Sequence, residues 1–260
     1  MRLSVQIHLS YSTTQPCDLL LQIEPTTDAT QICRETRLMI GSQPPQQEIA
    51  NEDGIGLRRW IHAGPQFVCD FETTVEVNRV AAKIETLQDT PRLQIPGDVV
   101  KYLMPSRYCH SDLFLDFVQS QFGALTGGAK IAAMRDWISD NFTYDNTISN
   151  AATTASDSFA SQAGVCRDYA HVLISFSRAA GIPAQFVSAY APDVTPQDFH
   201  AVVEVYLQGD WHLIDATGMA KPEEIVRICV GRDAADASFL TSYGGVELQE
   251  QTVQVARKMS

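Results

Sequence analysis

Positive charge is scarce in this 260-residue sequence: Lys and Arg number 19 against 31 Asp and Glu, a formal net charge of −12. Phosphate backbones are gripped by clustered cations, so the balance argues against nucleic acid and against anionic membrane surfaces as partners. It does not decide what enters a cleft, where local charge departs from the total. No apolar run approaches the roughly 18 residues of a membrane span. The start, Met1-Arg2-Leu3-Ser4-Val5-Gln6-Ile7-His8, alternates apolar and polar residues and lacks the continuous apolar stretch of a signal peptide. That predicts a cytoplasmic protein. Cysteines at 17, 33, 69, 109, 166 and 229 form no C-x-x-C pair and scatter over the whole chain, which argues against a disulfide framework and a zinc knuckle. Cys109-His110 is the only adjacent Cys/His pair, and adjacent side chains rarely converge on one ion, so neither metal nor cofactor is expected. Internal repeats and low-complexity segments are absent as well.

What remains is an ordinary folding composition, 45% hydrophobic and 19% charged. The length allows one large domain or two, with a core that needs no covalent staple. Alternating or β-branched segments at Leu3–Leu9, Leu19–Ile23, Arg34–Ile40, Leu57–Ile61 and Phe67–Val77 are separated by turn clusters, among them Gly41-Ser42-Gln43-Pro44-Pro45. They predict an all-β, sandwich-like N-terminal domain. Residues 89–109, with Pro91, Pro96, Gly97 and Pro105, read as a linker over the surface. The domain expectation is therefore 1–105 for the β domain with its linker and 106–260 for an α+β unit. In the second unit helices are expected around 112–121 and 128–141, the latter with Ile131, Met134, Trp137 and Ile138 on one face.

The third expected helix carries the chemistry. Gly164-Val165-Cys166 opens it, Tyr169, Val172, Leu173, Phe176 and Ala180 continue its apolar face, and Gly181 with Pro183 closes it. A free thiol titrates near about 8.5 and is a weak nucleophile until its anion is stabilised. The unpaired N–H groups and positive dipole end of a helix start supply that stabilisation. Arg167 adds positive potential beside Cys166.

A strand at Ala184–Tyr190 follows, and then Phe199–Leu207 and Trp211–Ala216 flank Gln208-Gly209-Asp210 as a hairpin. Along the first arm His200, Val202, Glu204 and Tyr206 share one face, while Phe199, Ala201, Val203, Val205 and Leu207 form the apolar, core-facing one. If Gln208 and Gly209 are the loop, Asp215 lies opposite Val202, a diagonal neighbour of His200 at roughly 7–8 Å between backbones. A thiol, an imidazole and a carboxylate in that order form a nucleophile, its base and the group that orients the base. Backbone N–H groups at the Cys166 helix start suit a developing oxyanion. Gln162 and Tyr144 are candidates for a second donor on position alone. Asp168 either binds substrate or complements the helix dipole. Glu204 lines a cleft or is a solvated strand carboxylate. His171, five positions after Cys166, lies roughly 140° around the helix and is a poor base for that thiol. His212 has opposite parity to Asp215 and should face away.

The stretches Gly164-Val165-Cys166-Arg167-Asp168-Tyr169-Ala170, Gly181-Ile182-Pro183-Ala184, Asp198-Phe199-His200-Ala201, Glu204-Val205-Tyr206 and Trp211-His212-Leu213-Ile214-Asp215-Ala216-Thr217 resemble the bacterial transglutaminase-like family, a branch of the papain-like superfamily. Gly231-Arg232-Asp233 and Asp53-Gly54-Ile55-Gly56 also look like it. The resemblance implies a papain-like α+β core, with Cys166 as nucleophile, His200 as base and Asp215 as third member. Two positions depart from the pattern: Val202 stands where the family usually carries Trp, and Ala216 where it usually carries Pro. The expected function is a thiol-dependent acyl-transfer enzyme, a cysteine peptidase or amidase acting on a peptide or protein substrate. The alternatives are a transglutaminase with an amine acceptor and a catalytically silent protein-binding module.

Overall fold

Alternation writes the first third of the chain into strands. In β1 (Arg2–Thr13), Leu3, Val5, Ile7 and Leu9 point inward at every second position. β2 (Cys17–Leu21), β3 (Gln31–Ile40), β4 (Gln46–Ala50), β5 (Leu57–Ala63) and β6 (Gln66–Val77) follow. The computed structural model describes residues 1–41 and 46–258, so most of the expected turn at 41–45 lies outside the described residues. β4 has no counterpart in the sequence reading, because Gln46-Gln47-Glu48-Ile49-Ala50 is a largely exposed edge strand with no apolar alternation.

Near the end of this region a tight turn makes the contact with the second half. Gly56 has φ +91, and a Cβ there would sit 2.4 Å from the Ile228 carbonyl oxygen, so only glycine lets the turn lie this close. The segment at 89–109 runs over the surface through residue 98, as its prolines suggest, but its second half packs inward. Tyr102 and Cys109 are fully buried, the Tyr102 hydroxyl donates to Asp53, and its ring meets Trp211 edge-on. Pro and Gly set local turns there, while the aromatic residues between them pack the two halves together.

The second half contains α1 (Leu115–Phe122), preceded by a 3-10 turn at Ser111–Phe114, then α2 (Gly127–Asn141), β7 (Thr143–Tyr144), α3 (Ala155–Ser161), β8 (Ala163–Gly164) and α4 (Cys166–Ala179). Ile131, Met134 and Ile138 of α2 are fully buried. α4 ends where Gly181 takes φ +78. Its Arg178, 4% exposed, donates to the carbonyls of Ala184, Met104 and Arg232, tying the helix end to three separate segments. Against α4 lies an antiparallel sheet ordered β11-β10-β9-β12, built from β9 (Ala184–Tyr190), β10 (His200–Leu207), β11 (Asp210–Ile214) and β12 (Val226–Gly231). This is the expected α+β architecture: a helix bearing the cysteine packed on a sheet bearing the histidine and aspartate.

Two features differ from expectation. Every residue of β10 is buried, so the His200 face is covered as fully as the one expected to face the core. Val202 joins Val187, Ala189, Leu213 and Val230 in a second apolar layer on that side of the sheet. Glu204, expected to line a cleft or stand solvated, is 2% exposed; it accepts hydrogen bonds from Arg227 (2.8 Å) and Gln185 (2.7 Å), and Arg227 also reaches Asp28 of the N-terminal half. A strand pattern shows parity and not what covers each face. The tail also returns to the start. β13 (Leu240–Ser242) pairs with β2, and β14 (Val246–Arg257) pairs with β1, giving sheets ordered β13-β2-β5-β4 and β14-β1-β6-β3. The tail of the segment expected at 106–260 thus lies in the N-terminal sheets. Among the described residues no helix is long and apolar enough to cross a membrane.

Candidate active site

The thiol is placed by a short parallel ladder in which Tyr144 pairs with Gly164, two residues before Cys166. Val165 is extended, and helix α4 begins at Cys166. Asp168, fully buried, accepts a hydrogen bond from the Val165 N–H at 2.9 Å. A Cβ on Gly164 would sit 2.6 Å from the Asp168 side chain, which explains the glycine by close approach. Asp168 therefore acts as a capping carboxylate at the helix start. Arg167 turns to the 149–150 loop, donating to Ser149 Oγ at 2.8 Å and to the Asn150 carbonyl at 2.6 Å. Cys166 itself is half-buried, its Sγ 4.0 Å from the Phe199 carbonyl oxygen.

The hairpin adopts the register that joins the other two groups. Leu207 pairs with Asp210 and Val203 with Ile214, around Gln208 (φ +53) and Gly209 (φ +83). Positive φ at both loop positions is the two-residue turn whose twist matches paired strands. Asp215, the next residue on, is thereby set diagonally to His200. His200 Nε2 and Asp215 Oδ2 are 2.9 Å apart, both side chains buried. The carboxylate accepts three further bonds, from the Thr217 N–H (2.8 Å), the Thr217 hydroxyl (2.7 Å) and the Ala220 N–H (2.8 Å). Burial alone would raise its pKa; the His200 and Thr217 donors outweigh that and hold it below the usual range.

An ionised Asp215 accepts only, so Nε2 carries the proton and Nδ1 is free to exchange one. Nδ1 is buried with no hydrogen-bond partner among the described residues. Burial works against the imidazolium, but the Asp215 hydrogen bond and the neighbouring Cys166 thiol more than offset it, lifting the pKa to about 10. The folded value exceeds the unfolded one, about 6.5. The stabilisation from this charged ring is thus complete below about pH 6.5 and fades as pH climbs toward about 10. Replacing Asp215 by Asn removes the largest favourable contribution and keeps the burial, so the His200 ring should titrate at least about one unit lower. Imidazole chemical shifts followed from pH 5 to 11 measure this. An unchanged midpoint would show that the carboxylate does not hold the ring's charge.

A cleft of about 660 Å³ opens over these groups, lined by Cys166, His200, Tyr144, Asp198, Phe199 and Phe239 among others. Tyr144 lines the cleft beside Cys166; burial first, then the nearby sulfur, raises its pKa and keeps its hydroxyl protonated. The structure thus brings together Cys166, His200, Asp215 and Tyr144. It leaves Gln162 exposed in a left-handed cap after α3, outside the cleft wall, and Glu204 in its buried ion pair. His171 is fully buried, accepts from the Ala234 N–H at 3.2 Å and stacks on Tyr108. His212 faces the Leu207 carbonyl. Sequence reasoning missed Thr217, although Asp-x-Thr is a recognisable turn signal. It had no signal for Phe239, whose ring stacks on Phe199 at 4.1 Å.

A family profile described as the Transglutaminase-like superfamily matches residues 117–216, the stretch from α1 to just past Asp215. A solved structure from Cytophaga hutchinsonii, named a "Putative Cysteine Protease", superposes with a TM-score of 0.93 at 30% identity, covering 98% of this chain and 90% of that one. The chain belongs to the transglutaminase-like superfamily. An uncharacterized protein of Mycobacterium leprae (strain TN), ML0607, is 26% identical over 120 residues, and this chain spans only 43% of that relative's length. The periplasmic domain of TgpA from Pseudomonas aeruginosa is more remote, with a TM-score of 0.42 at 17% identity over 83% of this chain and 87% of that one. Within this superfamily of thiol-dependent enzymes, the two departures fall outside the cleft wall. Val202 is fully buried in the second apolar layer and Ala216 is 2% exposed, and neither side chain lines the cleft.

Proposed function

We propose that the protein is a cysteine peptidase or amidase that uses Cys166, His200 and Asp215 through an acyl-enzyme. The observation that carries this is the His200 ring: Nε2 is anchored on Asp215 at 2.9 Å, Nδ1 is left unpartnered among the described residues, and Cys166 and His200 line one cleft. In this reading the thiol gives its proton to Nδ1, and the thiolate attacks the substrate carbonyl carbon, forming a C–S bond. The carbonyl oxygen becomes an oxyanion held by the Cys166 N–H and the Tyr144 hydroxyl, which burial keeps protonated. His200 then protonates the leaving amine as the C–N bond breaks, giving a thioester. Water, deprotonated by the same nitrogen, attacks the thioester; the C–S bond breaks, and the acid and the thiol are released. Six free cysteines suit a reducing, cytoplasmic setting.

Selective alkylation tests the reading. Only Cys33 and Cys166 are not buried, and burial pushes the Cys33 thiol up. Iodoacetamide at pH 7 should label Cys166 at least about 100-fold faster than Cys33, with His200→Ala slowing Cys166 about tenfold or more. Equal labelling of both cysteines would sink the proposal.

A further inference from the structure

We propose that the free edge of β13, at Leu240–Ser242, is a docking strand for an extended polypeptide substrate, rather than the cleft being a site for small amides. This rests on the peptidase reading above and names the backbone that holds the substrate.

The consecutive residues Ser238, Phe239, Leu240, Thr241 and Ser242 all line the cleft. A strand that showed the cleft one face would contribute every second residue, so β13 meets the cleft along its edge. That edge is open: among the described residues β13 is the outermost strand of its sheet, paired on one side only, with β2. The hydrogen bonds flanking the strand fix which groups point outward. Tyr243 N–H donates to the Asp18 carbonyl and Gln22 N–H to the Phe239 carbonyl, so the odd-numbered residues bond toward β2. Antiparallel alternation then turns the N–H and C=O of Leu240 and Ser242 away from β2, toward the cleft. The Ser238 hydroxyl occupies the Leu240 carbonyl at 2.9 Å, leaving the two N–H groups and the Ser242 carbonyl for a ligand.

The edge is also joined to the nucleophile. Cys166 Sγ lies 4.0 Å from the Phe199 carbonyl, and the Phe199 ring stacks on Phe239, the residue preceding β13. A chain whose scissile carbonyl sits at the sulfur therefore passes the aromatic pair and reaches Leu240–Ser242 within a few residues. An extended peptide backbone offers N–H and C=O groups with the strand's own repeat, and adding a strand to an open edge satisfies both sides. The Phe199–Phe239 pair gives an apolar side chain of that peptide something to pack on.

Unfolded β-casein is the probe. Ser242→Pro removes one outward N–H, and the KM for β-casein should rise about tenfold with little change in kcat, while iodoacetamide labels Cys166 at the wild-type rate. Ser242→Ala, which keeps the N–H, should restore the wild-type KM. In Cys166→Ala, amide hydrogen exchange should slow at Leu240 and Ser242 when β-casein is added, a readout independent of the proline's effect on folding. Exchange unchanged at both amides, or a KM unaffected by the proline in a folded variant, overturns the docking strand. Protected amides together with no cleavage by the wild type would support the strand and count instead against the peptidase reading.

Discussion

Cys166→Ala is expected to abolish turnover, with kcat/KM for an amide or peptide substrate falling by at least about 10⁴-fold. The loss is that large because the thiol forms the bond through which both half-reactions pass, leaving only binding and oxyanion stabilisation without it. The fold should survive, since the half-buried side chain loses one sulfur from the wall of an open cleft. His200→Ala should cost a similar factor, and the double variant little more than either single one, because groups acting as one unit are not additive. Steady-state kinetics on the three variants measure this. Residual turnover of a tenth or more in Cys166→Ala would remove the sulfur from the mechanism.

The second large effect concerns stability. A chain terminated after Gly245 loses β14, which pairs with β1 from Leu3↔Arg257 to Thr13↔Val246. It also loses the buried side chains of Val253 and Val255. Each buried valine contributes about 1.5–3 kcal/mol, and the ladder and the unpaired β1 edge add to that. The total is a large share of the 5–15 kcal/mol that holds a typical domain folded. The truncated protein should melt at least about 10 °C lower or fail to accumulate in soluble form. The harm extends to the site, because Gln251 holds Asp198 at 2.6 Å and Gln197 accepts from the Val255 N–H, bracing the loop that leads into His200. A melting temperature within about 2 °C of the full chain would show that β14 contributes little.

The candidate site was legible because each of its parts is local. The glycine before Cys166, the apolar face of α4 and the Gly181–Pro183 stop mark one helix within twenty residues. Gln208-Gly209 fixes a hairpin register from two residues, and with it the diagonal between His200 and Asp215. Contacts across the chain left no such trace. Nothing in Val246–Arg257 states that its partner is β1, and nothing around Glu204 states that Arg227 covers it. The second half of the 89–109 segment misled for a related reason, since its prolines report backbone turns while the burial of Tyr102 depends on Asp53 and Trp211 arriving from elsewhere.

Synthesis from the N-terminus gives the placement of β13 and β14 one more meaning. The helix tip, the imidazole and its carboxylate are all encoded before residue 216, yet one wall of the cleft comes from residues 238–242 and the brace on the histidine loop from 251–255. A nascent chain therefore makes its reactive groups first and the surface that would receive a substrate last. Until those closing strands emerge and pair, β1 and β2 each keep an open edge, and the reactive thiol has no complete groove to work in.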